Sequence, residues 1–389
     1  MGAELLADRS ERLAGVRLLP LERCQVVPSA LERRVPEEDL AIDLTGFVQA
    51  AEALRLDGAR VIAEDAGAPR AAGGDEQSQK SERGAAHRSI VATKGARRNI
   101  GAGGASLLVI TNIGRAVTMD GADRVIEDAV IHLDDTAVRF IGPALEAPAL
   151  PAGPVERLDA GGRAVLPGLV DCHTHLVFGG DRRDEFALRA TGVTYAEIHA
   201  RGGGIQRTVG ATRASSEDEL LASALPRLRA MLERGVTTVE VKSGYGLDLE
   251  TELRLLRVAR RLEERLPVRI VTTFLGAHSV PSEFKGRREA YLDLVCQEMI
   301  PRVATERLAT FCDVFCEQGV FTLEESRRVL LAARAAGLSL KLHADQLHRT
   351  GAAQLGADLG AVSVDHHEQI DASDVAVLGR AGAPVAVLL

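Results

Sequence analysis

Six of the ten histidines in this 389-residue chain fall in four short stretches: "DCHTH" (His173, His175), "FLGAH" (His278), "KLHADQ" (His343) and "VDHHE" (His366, His367). Each stretch closes an apolar run. On an extended chain, residues two apart project to one face about 6.6 Å from each other, so His173 and His175 can converge on one ion, with Asp171 on the same face. Three or four N/O ligands with a position left for water acidify that water to a pKa of about 7. A single H-x-H could be no more than a polar strand end. Histidines scattered through a core or over a surface would not gather at the ends of four apolar runs, and that recurrence points to a catalytic metal centre.

The elements that must position these residues follow from the pattern around them. From Val165 onward, seven strand-like stretches alternate with helical ones. The strands are "AVLPGLVDCHTH", "TTVEVKSG", "RIVTTFLGAH", "FCDVFCEQG", "LSLKLHADQ", "AVSVDHHEQ" and "APVAVLL". "EDELLASALPRLRAMLERG" and "LEESRRVLLAARAAG" have helical periodicity, the second with a Gly stop. Repeated strand–helix units imply a parallel sheet with right-handed crossovers, and in a β/α barrel the site lies at the C-terminal strand ends. Residues 165–389 therefore read as an incomplete β/α barrel that stops inside its seventh strand. Residues 106–164, with short β-branched runs between Gly, Asp and Pro, read as a small β domain, in which His132 is expected to be half-exposed. Residues 66–105 are rich in Gly, Ala, Ser and charge and read as a flexible linker. Residues 1–65 form an N-terminal extension with helical patterning, to which no function attaches.

A formal charge of −8 without a basic block argues against nucleic acid or an anionic membrane as partner. No apolar run approaches the 18 or so residues of a membrane span. The opening "MGAELLADRSERL" lacks a leader's apolar core, and Leu6 breaks the myristoylation pattern. Five cysteines without framework spacing read as reduced thiols, so the expected location is cytoplasmic. Cys312 and Cys316, about 13 Å apart on a strand, are too distant for a disulfide and read as buried thiols. Cys172, opposite the histidines, is expected to pack against a helix. "RGGGI" at 201–205 could cradle an anion but lacks a P-loop ending. His199 and His348 read as exposed helix or loop residues.

From about Leu107 to its end the chain resembles the imidazolonepropionase family of the amidohydrolase superfamily, which acts in histidine degradation. The stretches that carry the resemblance are "PGLVDCHTHLVFGGDRRDEF", "RGGGI", "EVKSGYGL", "TFLGAH", "KLHADQ" and "DHHE". H-x-H alone marks the superfamily, whereas "HLVFGGDR" and "KSGYG" narrow it to this family. The resemblance implies an α/β fold: a metal-dependent (β/α)8 TIM-like barrel, here with seven strands and the eighth missing, beside a small β-sandwich domain. It implies hydrolysis of the ring amide of 4-imidazolone-5-propanoate to N-formimidoyl-L-glutamate by a metal-activated water, with one divalent or trivalent ion, zinc or iron. A lysine that bridges two ions in related enzymes has no counterpart in "FCDVFCEQG", which agrees with one metal.

By the same resemblance His173, His175 and His343 are metal ligands. Arg182 holds the substrate's propionate, where a guanidinium fork suits a carboxylate, and Arg183 could exchange roles with it. Tyr245 and His278 contact the ring. Gln346 stands where the family has Glu or Gln; it is assigned to substrate binding and catalysis, yet an amide only donates and accepts hydrogen bonds. His366 is the catalytic histidine that polarises the carbonyl or shuttles protons. Strand alternation argues otherwise, because it groups Ser363, Asp365 and His367 on the polar face and leaves His366 with Val362 and Val364. Asp365 is expected to orient a neighbouring group. Relative to the family, the chain has an extra N-terminal extension and lacks a C-terminal part that supplies a metal-binding aspartate. A small-molecule substrate and a homodimer are implied. Two other readings stay open: another cyclic amidase or deaminase of the superfamily, or a truncated chain without activity.

Overall fold

Short β-branched runs broken by Gly, Asp and Pro build the first sheet. Its strands are β1 (Leu107–Val117), β2 (Val125–Leu133), β3 (Val138–Pro143), β4 (Val155–Asp159) and β5 (Ala164–Val165). They lie in the order β3-β2-β1-β4, with β5 also beside β1. β1–β2 and β2–β3 are antiparallel, while β4 and β5 run parallel to β1. The computed structural model describes residues 107–134, 137–193, 197, 203–380 and 382–389, so the extension and the linker expected before 106 lie outside the described residues, as does His199. His132 departs from expectation. It is buried, because the last five residues of β2 are covered on both faces and Phe140 packs against its ring at 5.5 Å.

The second sheet has seven parallel strands in the order β12-β11-β10-β9-β8-β7-β6. They are β6 (Leu169–Asp171), β7 (Val236–Lys242), β8 (Arg269–Ala277), β9 (Phe311–Cys316), β10 (Ser339–Ala344), β11 (Ser363–His366) and β12 (Val385–Leu388). All seven stretches expected from the sequence are present, and the architecture is that of an incomplete α/β barrel. One differs in detail. "AVLPGLVDCHTH" is split at Pro167-Gly168 into β5 of the small sheet and β6 of the barrel, and β6 ends at Asp171, before the histidines. The segment beyond stays beside β7 because Lys242 N donates to Thr174 O at 2.9 Å and Thr174 Oγ1 donates to Glu240 O at 2.6 Å.

Helices return the chain between strands, and their ends are written in the sequence. Ser216 and Glu219 form a capping box on helix Glu217–Leu232, and Thr322 and Glu325 form one on helix Leu323–Ala335. Outward strand residues pack on these helices: Val239 and Val241 of β7, Cys312, Val314 and Cys316 of β9, Leu340 and Leu342 of β10, and Val364 of β11. Both β9 cysteines are free and buried, as expected, whereas Cys172 is exposed and does not pack in a core. The reason is its place just after β6, an outermost strand of the sheet. No helix among the described residues is long and apolar enough to cross a membrane.

β6 and β12 end the sheet, and among the described residues neither pairs on its outer side. Both leave apolar side chains in water: Val170 is 64% exposed and Leu388 74%. Unpaired parallel edges of this kind invite association. Leu388→Lys is expected to raise the concentration at which light scattering reports self-association by about tenfold, as burial of one leucine side chain is worth about 1.5–3 kcal/mol. An unchanged threshold would show that other surfaces govern association.

Candidate metal centre

The barrel interior is set by strand alternation. On β7, Glu240 and Lys242 point inward between outward-packed Val239 and Val241; Asp313 does so on β9, Lys341 and His343 on β10, Ser363 and Asp365 on β11. Lys242 Nζ lies 2.8 Å from Glu240 Oε1, 2.8 Å from Asp313 Oδ2 and 3.4 Å from Asp365 Oδ2. Lys341 Nζ reaches the same Glu240 and Asp365 oxygens at 3.2 and 3.5 Å. Thr273 Oγ1 donates to Glu240 Oε1 at 2.5 Å. Burial alone would strip the proton from Lys242, but Asp313, Glu240 and Asp365 outweigh it and hold the pKa above the usual lysine value.

The histidines sit on this ionic layer. His173 Nδ1 donates to Asp365 Oδ2 at 2.7 Å, which leaves Nε2 for other partners. His343 Nδ1 lies 2.9 Å from Asp313 Oδ2, a contact bent too far to count as a hydrogen bond. His343 Nε2 is 3.4 Å from His175 Nε2. One nitrogen from each of His173, His175 and His343 lies within 4.8 Å of the others. The Nδ1 of His175 is buried without a hydrogen-bond partner. Burial pushes His343 down to about 3, against the pull of Asp313, and holds His175 well below the ordinary imidazole value. Three converging imidazoles, two of them kept unprotonated and each of those two with a buried Nδ1 that makes no hydrogen bond, suit an N-ligated transition metal. Carboxylates behind two of the rings are the usual way to fix a ligand's tautomer and direction.

Around this triad stand three more residues. The His366 ring is 5.0 Å from the rings of both His173 and His343. The His278 ring stacks on His175 at 4.9 Å. Tyr245 lies 5.5 Å from His175 and 5.4 Å from His278. Alternation would have turned His367 inward and His366 out. The backbone turns left-handed at both, with φ 91° at His366 and 72° at His367, so the parity breaks there. His366 faces the cluster, and His367 Nε2 instead contacts Val364 O at 2.8 Å. Two such non-glycine residues in succession cost on the order of 1–3 kcal/mol each.

Two expected site residues stand apart. Arg182 precedes helix Arg183–Ala190 and is held loosely by Glu185 at 4.0 Å. Gln346 is half-buried in the bend after β10. Among the described residues no hydrogen bond or ion pair joins either to the histidine cluster. Asp365 does orient a neighbour, His173. His348 is exposed and its Nδ1 is 2.9 Å from Glu317 Oε1. In "RGGGI", Gly204 N donates to buried Glu185 at 3.0 Å, while Arg201 and Gly202 lie outside the described residues. Glu240, Lys242, Asp313 and Lys341 were not anticipated. Their signal was present: charged residues at alternate positions of otherwise apolar strands, in "TVEVK", "FCDVFC" and "SLKLH".

No protein-family model matches the chain. The fold aligns with triazine hydrolase from Arthrobacter aurescens at a TM-score of 0.51, with 18% identity over 73% of this chain and 65% of that one. A variant of atrazine chlorohydrolase from the same organism, solved with zinc and atraton, aligns at 0.52, with 17% identity over 72% and 65%. Fold and site together define an incomplete α/β barrel with a histidine-rich mouth. In sequence the chain is 52% identical over 264 residues to imidazolonepropionase of Paraburkholderia phymatum, covering 68% of this chain and 64% of that one. It is 51% identical to that of Rhizorhabdus wittichii over 71% of this chain and 68% of the relative, and 48% identical to that of Myxococcus xanthus over 72% and 69%. The chain belongs to the imidazolonepropionase family. It spans about two thirds of the length of these relatives.

Lys242→Met keeps the length of the side chain and removes the cation between three carboxylates. It is expected to lower stability by about 3–5 kcal/mol, the usual effect of leaving buried charges unpaired, read from the urea unfolding midpoint. A midpoint equal to that of the parent would mean that Lys341 alone compensates the carboxylates.

Proposed function

We propose that the chain is a metal-dependent hydrolase acting on the ring amide of 4-imidazolone-5-propanoate, with N-formimidoyl-L-glutamate as product. The observation that carries this reading is the convergence of His173, His175 and His343 within 4.8 Å, two of them backed by carboxylates. The half-identical sequence of the named relatives supports the choice of substrate. His173, His175 and His343 would hold one zinc or iron ion. When bound, such an ion acidifies a water to a pKa of about 7 and polarises a carbonyl oxygen.

The chain's own groups have separable tasks in this reading. His366, at the rim and next to both His173 and His343, takes or returns a proton at the ring carbonyl oxygen. His278 and Tyr245 flank His175 and hold the flat imidazolone between them. Arg182 binds the propionate tail with its guanidinium fork. Gln346 hydrogen-bonds the substrate and takes no proton. The substrate is a small, carboxylate-tailed molecule.

The test is turnover of freshly made 4-imidazolone-5-propanoate by the full chain with zinc or iron(II) added. Turnover with product formation is expected. His343→Ala should lose both the bound metal and the rate, and a variant that keeps both would sink the assignment. Arg182→Met should raise KM about 10- to 100-fold with little change in kcat, since it removes a charge-assisted contact worth about 1.5–3 kcal/mol to the unreacting tail. Equal KM values would move the carboxylate contact to Arg183 or elsewhere.

A further inference from the structure

The loop after β7, residues 243–247, carries Tyr245 into the site, and two side chains from outside the site grip its backbone. Glu252 is fully buried at the start of helix Leu249–Glu263. Its Oε1 accepts Gly246 N and Leu247 N, both at 2.8 Å, and its Oε2 accepts Gly244 N at 3.0 Å. From the opposite side Arg213 Nε donates to Gly246 O at 2.7 Å, while its guanidinium pairs with Asp248 and Glu283 at 2.8 Å each. The loop has no freedom to accept larger residues. Gly244 has φ +98°, and a Cβ on Gly246 would lie 2.7 Å from Glu252 N.

This grip extends to His278. Its Nδ1 lies 2.9 Å from Gly244 O. A carbonyl only accepts, so Nδ1 carries the hydrogen and Nε2 is the bare acceptor. One loop thus sets both the place of the Tyr245 ring and the tautomer of His278. We infer that Glu252 and Arg213 are positioning residues for the substrate ring: they hold loop 243–247 so that Tyr245 and the bare Nε2 of His278 face the same space. The ring-bearing substrate would then meet a hydrogen-bond acceptor at His278, suited to a ring N–H. The assignment rests on the reading of the site given above and deepens it.

Glu252→Gln is the sharp variant. Its amide can keep one accepting oxygen but sets an NH2 group against the N–H of Gly244 or Gly246, so the loop must shift. Arg213→Met releases the other side and serves where Glu252→Gln does not fold. The full chain with zinc is titrated with 3-(imidazol-4-yl)propanoate, an unreactive ring with the same tail. In both folded variants zinc affinity should stay within about twofold, while probe affinity falls about tenfold or more, the scale of a small misplacement at a binding site. Long-range 1H–15N spectra of the metal-free chain should show the Nδ1–H tautomer of His278 in the parent and its loss in Glu252→Gln. Parental probe affinity and an unchanged His278 tautomer in a folded variant would overturn the assignment, as would loss of zinc in parallel with the probe. A parent chain that takes up neither zinc nor probe would overturn the proposed function instead, and the tautomer comparison would still decide the role of Glu252.

Discussion

The ammonium group of Lys242, buried among Glu240, Asp313 and Asp365, is the interaction on which the rest of the barrel interior depends. Ions removed from water cost several kcal/mol each unless partners surround them. Here the partners come from three strands, β7, β9 and β11, so the pairing is satisfied only when those strands stand in the correct register. Two of these carboxylates, Asp365 and Asp313, also face His173 and His343. One buried cation therefore connects strand register to imidazole direction. A barrel filled by Val, Ile and Leu, the common solution, would be easier to stabilise but could not orient those rings.

Above that layer, buried carboxylates shape the loops. Glu252 grips the loop after β7. Glu317, after β9, accepts Leu347 N at 2.8 Å and His348 N at 3.3 Å, and so ties down the bend that contains Gln346. Asp345, at the end of β10, accepts Thr350 N at 2.6 Å, Gly351 N at 2.9 Å and Ala353 N at 3.0 Å. Each acid takes several main-chain donors that a buried loop would otherwise leave unpaired. Loops at a barrel mouth usually owe their order to side-chain packing. These owe it to acids placed one turn into a helix or just past a strand.

Much of the fold was legible in the sequence because it rests on local rules. Apolar runs marked all seven barrel strands, and helical periodicity over 217–235 and 323–337 marked two of the helices between them. The histidine cluster was legible as positions, since strand ends in a β/α barrel share one mouth. What escaped was set by contacts between strands. His132 looked half-exposed because nothing in β2 tells that Phe140 covers it. Glu240, Lys242, Asp313 and Lys341 were not legible as a group because each strand holds only one or two of them. The orientation of His366 was opposed by alternation, which fails there because the backbone turns left-handed at His366 and His367. Gln346 and Arg182 depended on the resemblance, and the geometry leaves them outside the ring cluster.

The ionic layer also has a formal charge. Glu240, Asp313 and Asp365 face Lys242 and Lys341, so three carboxylates against two ammonium groups leave a single negative charge beneath the unprotonated rings of His175 and His343. In a medium of low dielectric constant such surplus charge is strongly penalised. The interior electrostatics thus favour a cation over an anion at the barrel mouth.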